Sequence, residues 1–316
     1  MKKRILVGLA LCFLYQNMNK IAVNAETSEV SHRMTCIIPS KSTTVYWQEV
    51  ADSMFKAAEE YSIDLTAIYT DNNDKYMAMS LEEALKTAIL IESEAIILSY
   101  AAVEDESIDE YLLKARENGI KVVLIDCDAD ASLRDAYVGI DNEEAGYALG
   151  SYILKNLGEE EHVLIALSSG YDSHLNISER IQGIRNAFAE DTERLHVTVS
   201  DLGTELDMVN QWEQAIISDE KLGAVVGINE RATVVLSQVL DKNRKKEQID
   251  LYGFDKSEET MRLIEDGKLD GVVGQQQTQM GYNSIVTALM LSEGNIPDIE
   301  LTTIDYKIYT EAEGGM

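Results

Sequence analysis

The sequence has little proline and little positive charge. Two of its 316 residues are proline, and 27 lysines and arginines stand against 56 aspartates and glutamates, a formal net charge of −29. This balance excludes DNA, RNA and anionic membrane surfaces as main partners, because they require a basic footprint. The lack of a Ser/Gly-rich stretch argues against a floppy tether between domains. Hydrophobic residues make up 45% of the chain, enough for a substantial core.

Cysteine is also scarce, with three in the whole chain. Cys36 and Cys127 lie in or at the end of apolar runs, so we expect buried thiols, with a disulfide as the alternative. The four histidines and these cysteines show no metal-ligand spacing. The chain also lacks a Gly-rich phosphate loop and a Gly-x-Ser-x-Gly elbow. We therefore predict no metal, no cofactor and no enzymatic activity.

Residues 1–25 have the pattern of an export signal. A basic start is followed by an apolar run of eleven, Ile5 to Tyr15, which is too short to span a bilayer comfortably. Val23-Asn24-Ala25 fits a cleavage site, which would start the mature chain at Glu26. An uncleaved anchor or a lipoprotein modified at Cys12 are the alternatives. We predict export to the periplasm or the outer face of the cell membrane.

Apolar runs then alternate with amphipathic stretches of helical period. About five such units precede residue 142 and about five follow it. Repeated β-α units of this kind predict parallel sheets covered by helices on both faces. The length favours an α/β fold with two doubly wound lobes, and the cleft between them would be the ligand site.

Three apolar runs in the second half end in a hydrogen-bonding side chain, at Asn229, Asp255 and Gln275. Ligands of open α/β sheets bind outside the carboxyl ends of the strands. None of the three side chains is a nucleophile. The pattern therefore predicts a site that binds a polar small molecule without transforming it.

Residues 34–312 resemble the type I periplasmic binding proteins of the ribose/galactose class. The resemblance rests on the order of Thr44-Val45-Tyr46-Trp47, Asp126, Asp141-Asn142 and the stretch from His174 to Gly183, ahead of the three strand ends. It implies two lobes joined by three crossovers that close on a monosaccharide. The implied lobes comprise residues 34–140 plus 276–303 and residues 141–275 plus 304–316.

The resemblance also implies the residues that contact the sugar. Aromatic rings would flank it, Arg180 would bridge two hydroxyls, and Asp255 would accept two; Asn142 could equally serve the hinge. Two positions depart from the family pattern: Thr44 replaces Asn, and Cys127 replaces Arg. The implied ligand-binding set is Thr44, Tyr46, Trp47, Asp126, Asn142, His174, Asn176, Arg180, Asn229, Asp255 and Gln275.

Such a protein would feed a membrane ABC permease by hinge closure. The alternative is a module that delivers a sugar or sugar-like signal to a membrane receptor or sensor kinase. A transcription-regulator core shares this fold but would require a basic helix-turn-helix before residue 34, where the signal-like run stands instead. We expect a monomer.

Overall fold

The apolar runs of the sequence form two sheets, each covered by helices on both faces. The structure, a computed structural model, describes residues 32–39, 45–70, 79–100, 106–168, 174–200, 205–298 and 302–311. The predicted signal, residues 1–25, lies outside them, as does Thr44. Among the described helices, none combines the length and the apolar character that crossing a membrane requires.

Eleven strands are described. They are β1 His32–Ile38, β2 Ile63–Tyr69, β3 Ala95–Leu98, β4 Lys121–Ile125, β5 Ala136–Val138, β6 His162–Ser168, β7 Leu195–Ser200, β8 Leu222–Gly227, β9 Asp250–Phe254, β10 Gly271–Gln275 and β11 Tyr306–Tyr309. The α-helices in the same ranges are α1 Val45–Glu60, α2 Leu81–Leu90, α3 Glu106–Glu117, α4 Asn142–Asn156, α5 Leu175–Phe188, α6 Glu205–Ser218, α7 Glu230–Asn243, α8 Glu258–Glu265 and α9 Gln277–Ser292.

The strands form one sheet in each lobe. The first has the order β2-β1-β3-β4-β5, and the second has the order β11-β10-β9-β8-β6-β7. All pairings are parallel except that of β11 with β10, which is antiparallel. The predicted parallel alternation is wrong for this last strand. The helix that precedes it, α9, packs against α1 and the strands of the first sheet, so the chain returns to β10 from the other lobe and β11 adds in the antiparallel direction. The predicted class, two doubly wound α/β lobes, is confirmed.

In the central strands, alternate residues are buried under different helices, as expected for sheets covered on both faces. In β1, Met34 and Cys36 pack in the cluster that contains α1 and α9, whereas Ile37 packs with α2 and α3. In β6, Val163 belongs to the first of these clusters, and Leu164 packs with α6 and α7. β1 and β6 therefore each contribute to two core layers.

Glycines allow close helix contacts beside the cleft. A Cβ on Gly183 of α5 would stand 2.0 Å from the carbonyl oxygen of Glu143 in α4. A Cβ on Gly281 of α9 would stand 2.2 Å from the carbonyl oxygen of Val50 in α1. Real Cβ atoms do not approach so closely, so only glycine permits these contacts. They hold the amino ends of the helices that carry cleft side chains.

The chain passes between the two sheets three times: after β5, after β10 and between α9 and β11. Two of these passages are hydrogen-bonded to each other. Gly139 donates from its N–H to Thr302 at 3.1 Å, and Ile304 donates to the carbonyl of Gly139 at 2.9 Å. Gly139 and Thr303 thus form a parallel bridge at the junction of the lobes.

Cys36 and Cys127 are buried free thiols, so the alternative of a disulfide is wrong.

Candidate functional site

Both lobes place an aspartate directly after the fourth strand, at the carboxyl edge of the sheet. Asp126 follows β4 with φ 63°, and Asp255 follows β9 with φ 70°. Positive φ is uncommon for residues other than glycine, although aspartate tolerates it better than most. Each aspartate turns the chain out of its strand and lies in the cleft, where the two carboxylates are close enough to interact electrostatically.

The wall of the first lobe consists of Tyr46 and Asp126. Tyr46, in the first turn of α1, donates its hydroxyl to Asp126 Oδ1 at 2.7 Å and lies 3.6 Å from Met280 Sδ. Its ring meets the ring of Trp47 edge-on, with centroids 5.1 Å apart. Burial, together with the negative charge of Asp126, holds the pKa of Tyr46 well above its ordinary value. The tyrosine is therefore a fixed neutral donor.

Asp126 is a buried carboxyl with a raised pKa. Burial is the largest cause, and the nearby carboxylate of Asp255 adds to it. Hydrogen bonds from Tyr46 and Gln275, and the charge of Arg180, act in the opposite direction without cancelling it. Since Gln275 is the last residue of β10 in the second sheet, its hydrogen bond to Asp126 joins the two walls of the cleft. The carboxyl has no cation of its own lobe among these partners.

Arg180 organises the wall of the second lobe. The residue is 2% exposed, so its guanidinium is a buried charge rather than a solvated charge on a helix surface. Its Nε donates to Asn142 Oδ1 at 3.0 Å, and one terminal nitrogen donates to the carbonyl of Ile228 at 3.1 Å. The other terminal nitrogen lies 3.4 Å from Asp255 Oδ1. The guanidinium also lies over the ring of Phe254, 4.6 Å from its centroid.

Asp255 is held from three sides. Besides Arg180, it accepts the backbone N–H of Glu230 at 3.2 Å through Oδ2 and the side-chain amide of Gln275 at 3.4 Å through Oδ1. Its side chain is nevertheless 20% exposed. An oriented and partly accessible carboxylate can accept hydrogen bonds from ligand hydroxyls.

Two buried acceptors beside these groups have no hydrogen-bond partner among the described residues. They are Asn176 Oδ1 and Gln275 Oε1. Buried polar atoms are normally paired, and leaving one unpaired costs free energy. A molecule that brings hydroxyl or N–H donors into the cleft would satisfy both. The pair therefore indicates a ligand rich in donors.

Other predicted contacts are placed differently. Asn229 caps α7, where its Oδ1 accepts the N–H of Ala232 at 2.9 Å, so that oxygen is already used. His174 stands at the cap position of α5 without a side-chain capping bond. Asn142 contacts the cleft through Arg180. Trp47 is half-buried against Tyr46, and Thr44 lies outside the described residues.

Cys127 occupies the position at which the family pattern has Arg. Its thiol is buried beside the backbone N–H groups of Leu175 and Asn176 at the start of α5. Burial raises its pKa to about 12, so it stays a neutral thiol. The cleft therefore contains two carboxyl groups, Asp126 and Asp255, facing one guanidinium.

The structure adds side chains that the sequence pattern did not single out. The ring of Phe254 packs against the guanidinium of Arg180, and Met280 contacts the Tyr46 hydroxyl. Half-buried Glu179 has a pKa raised to about 6, mainly by burial and then by neighbouring carboxylates. Phe254 could have been found, since it is the last residue of β9 and immediately precedes Asp255. Met280 could not, because a methionine in a helix usually indicates core packing.

Outside the cleft, the fold gathers His162, His196 and Asp219 at the opposite edge of the second sheet. The expectation that no metal-ligating set exists rested on spacing along the chain. These residues come from β6, β7 and the turn before β8, so local spacing could not reveal them.

Comparison with known proteins agrees with this architecture. Residues 35–296 match the family model of the periplasmic binding protein domain. The chain is similar to the D-ribose/D-allose-binding protein of Pseudomonas aeruginosa, with 21% identity over 307 residues that cover 94% of this chain and 93% of that protein.

Solved structures share the fold. GanP, a glucose-galactose binding protein from Geobacillus stearothermophilus, has a TM-score of 0.77 at 21% identity, covering 90% of this chain and 100% of that chain. A chain of the XylFII–LytSN complex has a TM-score of 0.73 at 20% identity, covering 89% and 99%. The prediction of a binding protein rather than an enzyme is confirmed by the family match. With a family model that spans most of its length and with the two-lobed type I architecture, the chain belongs to the periplasmic binding protein family.

Proposed function

We propose that the protein captures a monosaccharide or related polyol between its two lobes and delivers it to an ABC importer. The observation that carries this proposal is the cleft itself: Tyr46 and Asp126 on one wall face Arg180, Asp255 and Gln275 on the other. Oriented acceptors combined with aromatic rings suit the hydroxyl and C–H surfaces of a sugar.

Ligand binding would favour the closed arrangement of the lobes, because a sugar that contacts both walls binds the closed state better than the open one. The hydrogen bond between Asp126 and Gln275 indicates that side chains of the two walls come within hydrogen-bonding distance. Hydroxyl donors placed there would also satisfy Gln275 Oε1 and Asn176 Oδ1. The sugar-binding names of the relatives support this class of ligand.

The remaining expectations are part of the same proposal. The lobes would divide as 34–140 plus 276–303 and 141–275 plus 304–316, and the eleven predicted residues would line the site. The protein would be exported through a cleaved signal at residues 1–25 and act as a monomer, in the periplasm or at the outer face of the cell membrane.

Calorimetry of the purified protein against ribose, allose, glucose, galactose, arabinose, xylose and acyclic polyols tests the ligand class. We expect one of them to bind with a Kd of ~1 μM or less. A complete absence of heat across the panel would contradict the proposal. Glucuronate serves as a matched probe, since its carboxylate would face Asp126 and Asp255 and should bind much more weakly than glucose.

A second candidate is delivery of the ligand to a membrane receptor or sensor kinase. It is favoured by the structural likeness to a chain of the XylFII–LytSN complex. Deleting the gene distinguishes the two roles. Loss of uptake of the radiolabelled sugar supports the importer, whereas normal uptake with loss of a sugar-induced transcriptional response supports the sensor.

A further inference from the structure

A second set of polar side chains lies at the amino edge of the second sheet, away from the cleft. His162 begins β6 and His196 is the second residue of β7. Leu164 pairs with His196 in the parallel register, and His162 lies two residues before Leu164, so both imidazoles share one face of the sheet. Their ring centroids are 4.9 Å apart.

Asp219 completes the set from the turn between α6 and β8. Its Oδ2 lies 2.8 Å from His162 Nδ1, and its Oδ1 accepts the N–H of Lys221 at 2.9 Å, which fixes the carboxylate. One ligand atom from each of the three residues lies within 4.8 Å of the others.

We propose that His162, His196 and Asp219 form a binding site for one divalent transition-metal ion, with Zn²⁺ as the best fit. Imidazole nitrogen and carboxylate oxygen are ordinary zinc ligands. Metal–ligand bonds near 2.0 Å place such atoms about 3.3 Å apart. His162 Nδ1 and Asp219 Oδ2 are 2.8 Å apart, and all three ligand atoms lie within 4.8 Å of one another, so small side-chain rotations would bring them to that spacing. His196 is exposed, so its ring can rotate into place and water can take a fourth position.

The electrostatic surroundings favour a cation. Glu159, Glu160 and Glu161 immediately precede His162, and Glu220 follows Asp219. The nearby cations are engaged: Lys221 pairs with Glu160 at 3.2 Å, and Arg194 donates to the carbonyls of Gly158 and Glu161. The whole chain is strongly acidic, which adds long-range attraction for a divalent ion.

Bound metal would connect the edge strand β7 to β6 and to the turn before β8. β7 ends the sheet and leaves Val197 and Val199 partly exposed. Exposed edge strands are the positions at which sheets open or pair with other chains. The metal would therefore stabilise this edge without contact with the sugar cleft.

The first lobe contains a matched control. His32 begins β1 as His162 begins β6, and its Nδ1 lies 2.8 Å from Glu94 Oε2. The strand register places Leu65 of β2 where β7 has His196, because Met34 pairs with Leu65 as Leu164 pairs with His196. This first-lobe pair therefore has one imidazole and one carboxylate where the second lobe has two imidazoles and a carboxylate.

Calorimetry with ZnCl₂ on the untagged, chelator-treated protein tests the site. We expect one Zn²⁺ per chain with a Kd below ~10 μM. His196→Ala and Asp219→Asn should each weaken binding at least ~10-fold, and His32→Ala should leave it unchanged. Circular dichroism of each variant checks the fold.

The thermal midpoint gives a second readout, since an ion that binds the folded state alone raises it. We expect Zn²⁺ to raise the midpoint of the wild type and of His32→Ala, and to have little effect on His196→Ala. Absence of saturable zinc binding by the wild type would overturn the proposal. So would equal zinc affinity of the wild type, His196→Ala and Asp219→Asn. The sugar titrations are independent of either result.

Discussion

Asp126 of the first lobe and Asp255 of the second occupy equivalent positions, each after the fourth strand of its lobe and each with a left-handed backbone. Their partners differ. Asp255 lies beside the buried guanidinium of Arg180, whereas Asp126 accepts the neutral hydroxyl of Tyr46. Asp255 is thus a carboxylate paired with a cation. Asp126, in the equivalent backbone position, has a raised pKa because of burial and the nearby charge of Asp255.

This difference has a functional meaning under the proposed sugar-binding role. The second wall is ordered before ligand arrives, because Arg180, Asn142 and Asp255 satisfy one another. The first wall contains the carboxyl that would gain most from ligand donors. We therefore expect the second lobe to fix the orientation of the ligand and the first lobe to determine how strongly closure depends on it.

The largest expected effect follows from removing Arg180. Arg180→Ala leaves Asp255 without its cation and frees Asn142, so sugar affinity should fall at least ~100-fold and the free energy of unfolding by about 3 kcal/mol. Arg180→Lys should recover part of the stability and less of the affinity, because an ammonium lacks the planar fork of donors. Calorimetry and chemical denaturation measure both.

Arg185→Ala, an exposed change on the same helix, is the control and should change stability by less than ~0.5 kcal/mol. Sugar binding by Arg180→Ala at wild-type affinity would remove this residue from the site.

The comparison of the two aspartates is sharpened by replacing each with asparagine. Both variants should lose sugar affinity, but their stabilities should change in opposite directions. Asp255→Asn removes the counterion of a buried arginine and should destabilise the free protein by ~2–4 kcal/mol. Asp126→Asn should stabilise it at pH 7.

The sign for Asp126 follows from its raised pKa. The folded state holds the proton more tightly than the unfolded state, so ionisation lowers stability as pH rises above the ordinary aspartate range. The advantage of Asp126→Asn should therefore disappear when denaturation is repeated in acid, below that range. A destabilised Asp126→Asn at pH 7 would break the proposed contrast between the lobes.

The smallest effect concerns Glu179 on α5. Its folded pKa of about 6 lies above the ordinary 4.5, so stability falls as pH rises through this interval. Such a shift corresponds to ~2 kcal/mol at most, which solvent screening of a half-buried group reduces to about 1 kcal/mol. Glu179→Gln should be more stable than the wild type by that amount at pH 7 and equal to it at pH 4, in denaturant titrations.

Glu110→Gln, an exposed change in the first lobe, provides the reference for this titration. If the stability difference between Glu179→Gln and the wild type were the same at pH 4 and pH 7, the raised pKa would not be its cause.

The sequence predicted the two sheets well because buried parallel strands are short apolar runs that stand apart from the helices. It also placed Asp126, Asp255 and Gln275 correctly at strand ends, a position that depends only on where each run stops. The antiparallel direction of β11 was missed because strand direction depends on the path of the preceding crossover. A periodic pattern contains no record of that path.

Contacts between side chains that are distant along the chain could not be predicted from the sequence for the same reason. Nothing local shows that the side-chain oxygen of Asn229 accepts a capping bond at the start of α7, which leaves its amide nitrogen for a ligand. Likewise, Arg180 could be read as a solvated helix charge until Phe254 and the carbonyl of Ile228 were placed around it. His162 and His196 are 34 positions apart, and only the pairing of β6 with β7 brings their rings together.

The isolated parallel bridge between Gly139 and Thr303 holds two of the three passages side by side through two backbone hydrogen bonds. Passages joined in this way cannot slide along each other without breaking those bonds. In the proposed closure, the lobes should therefore rotate about a hinge axis at this junction, with little freedom to slide or twist. Each closure would then present the outer rims of both lobes in a single reproducible geometry, and a membrane partner could measure occupancy of the cleft from the spacing of those rims alone.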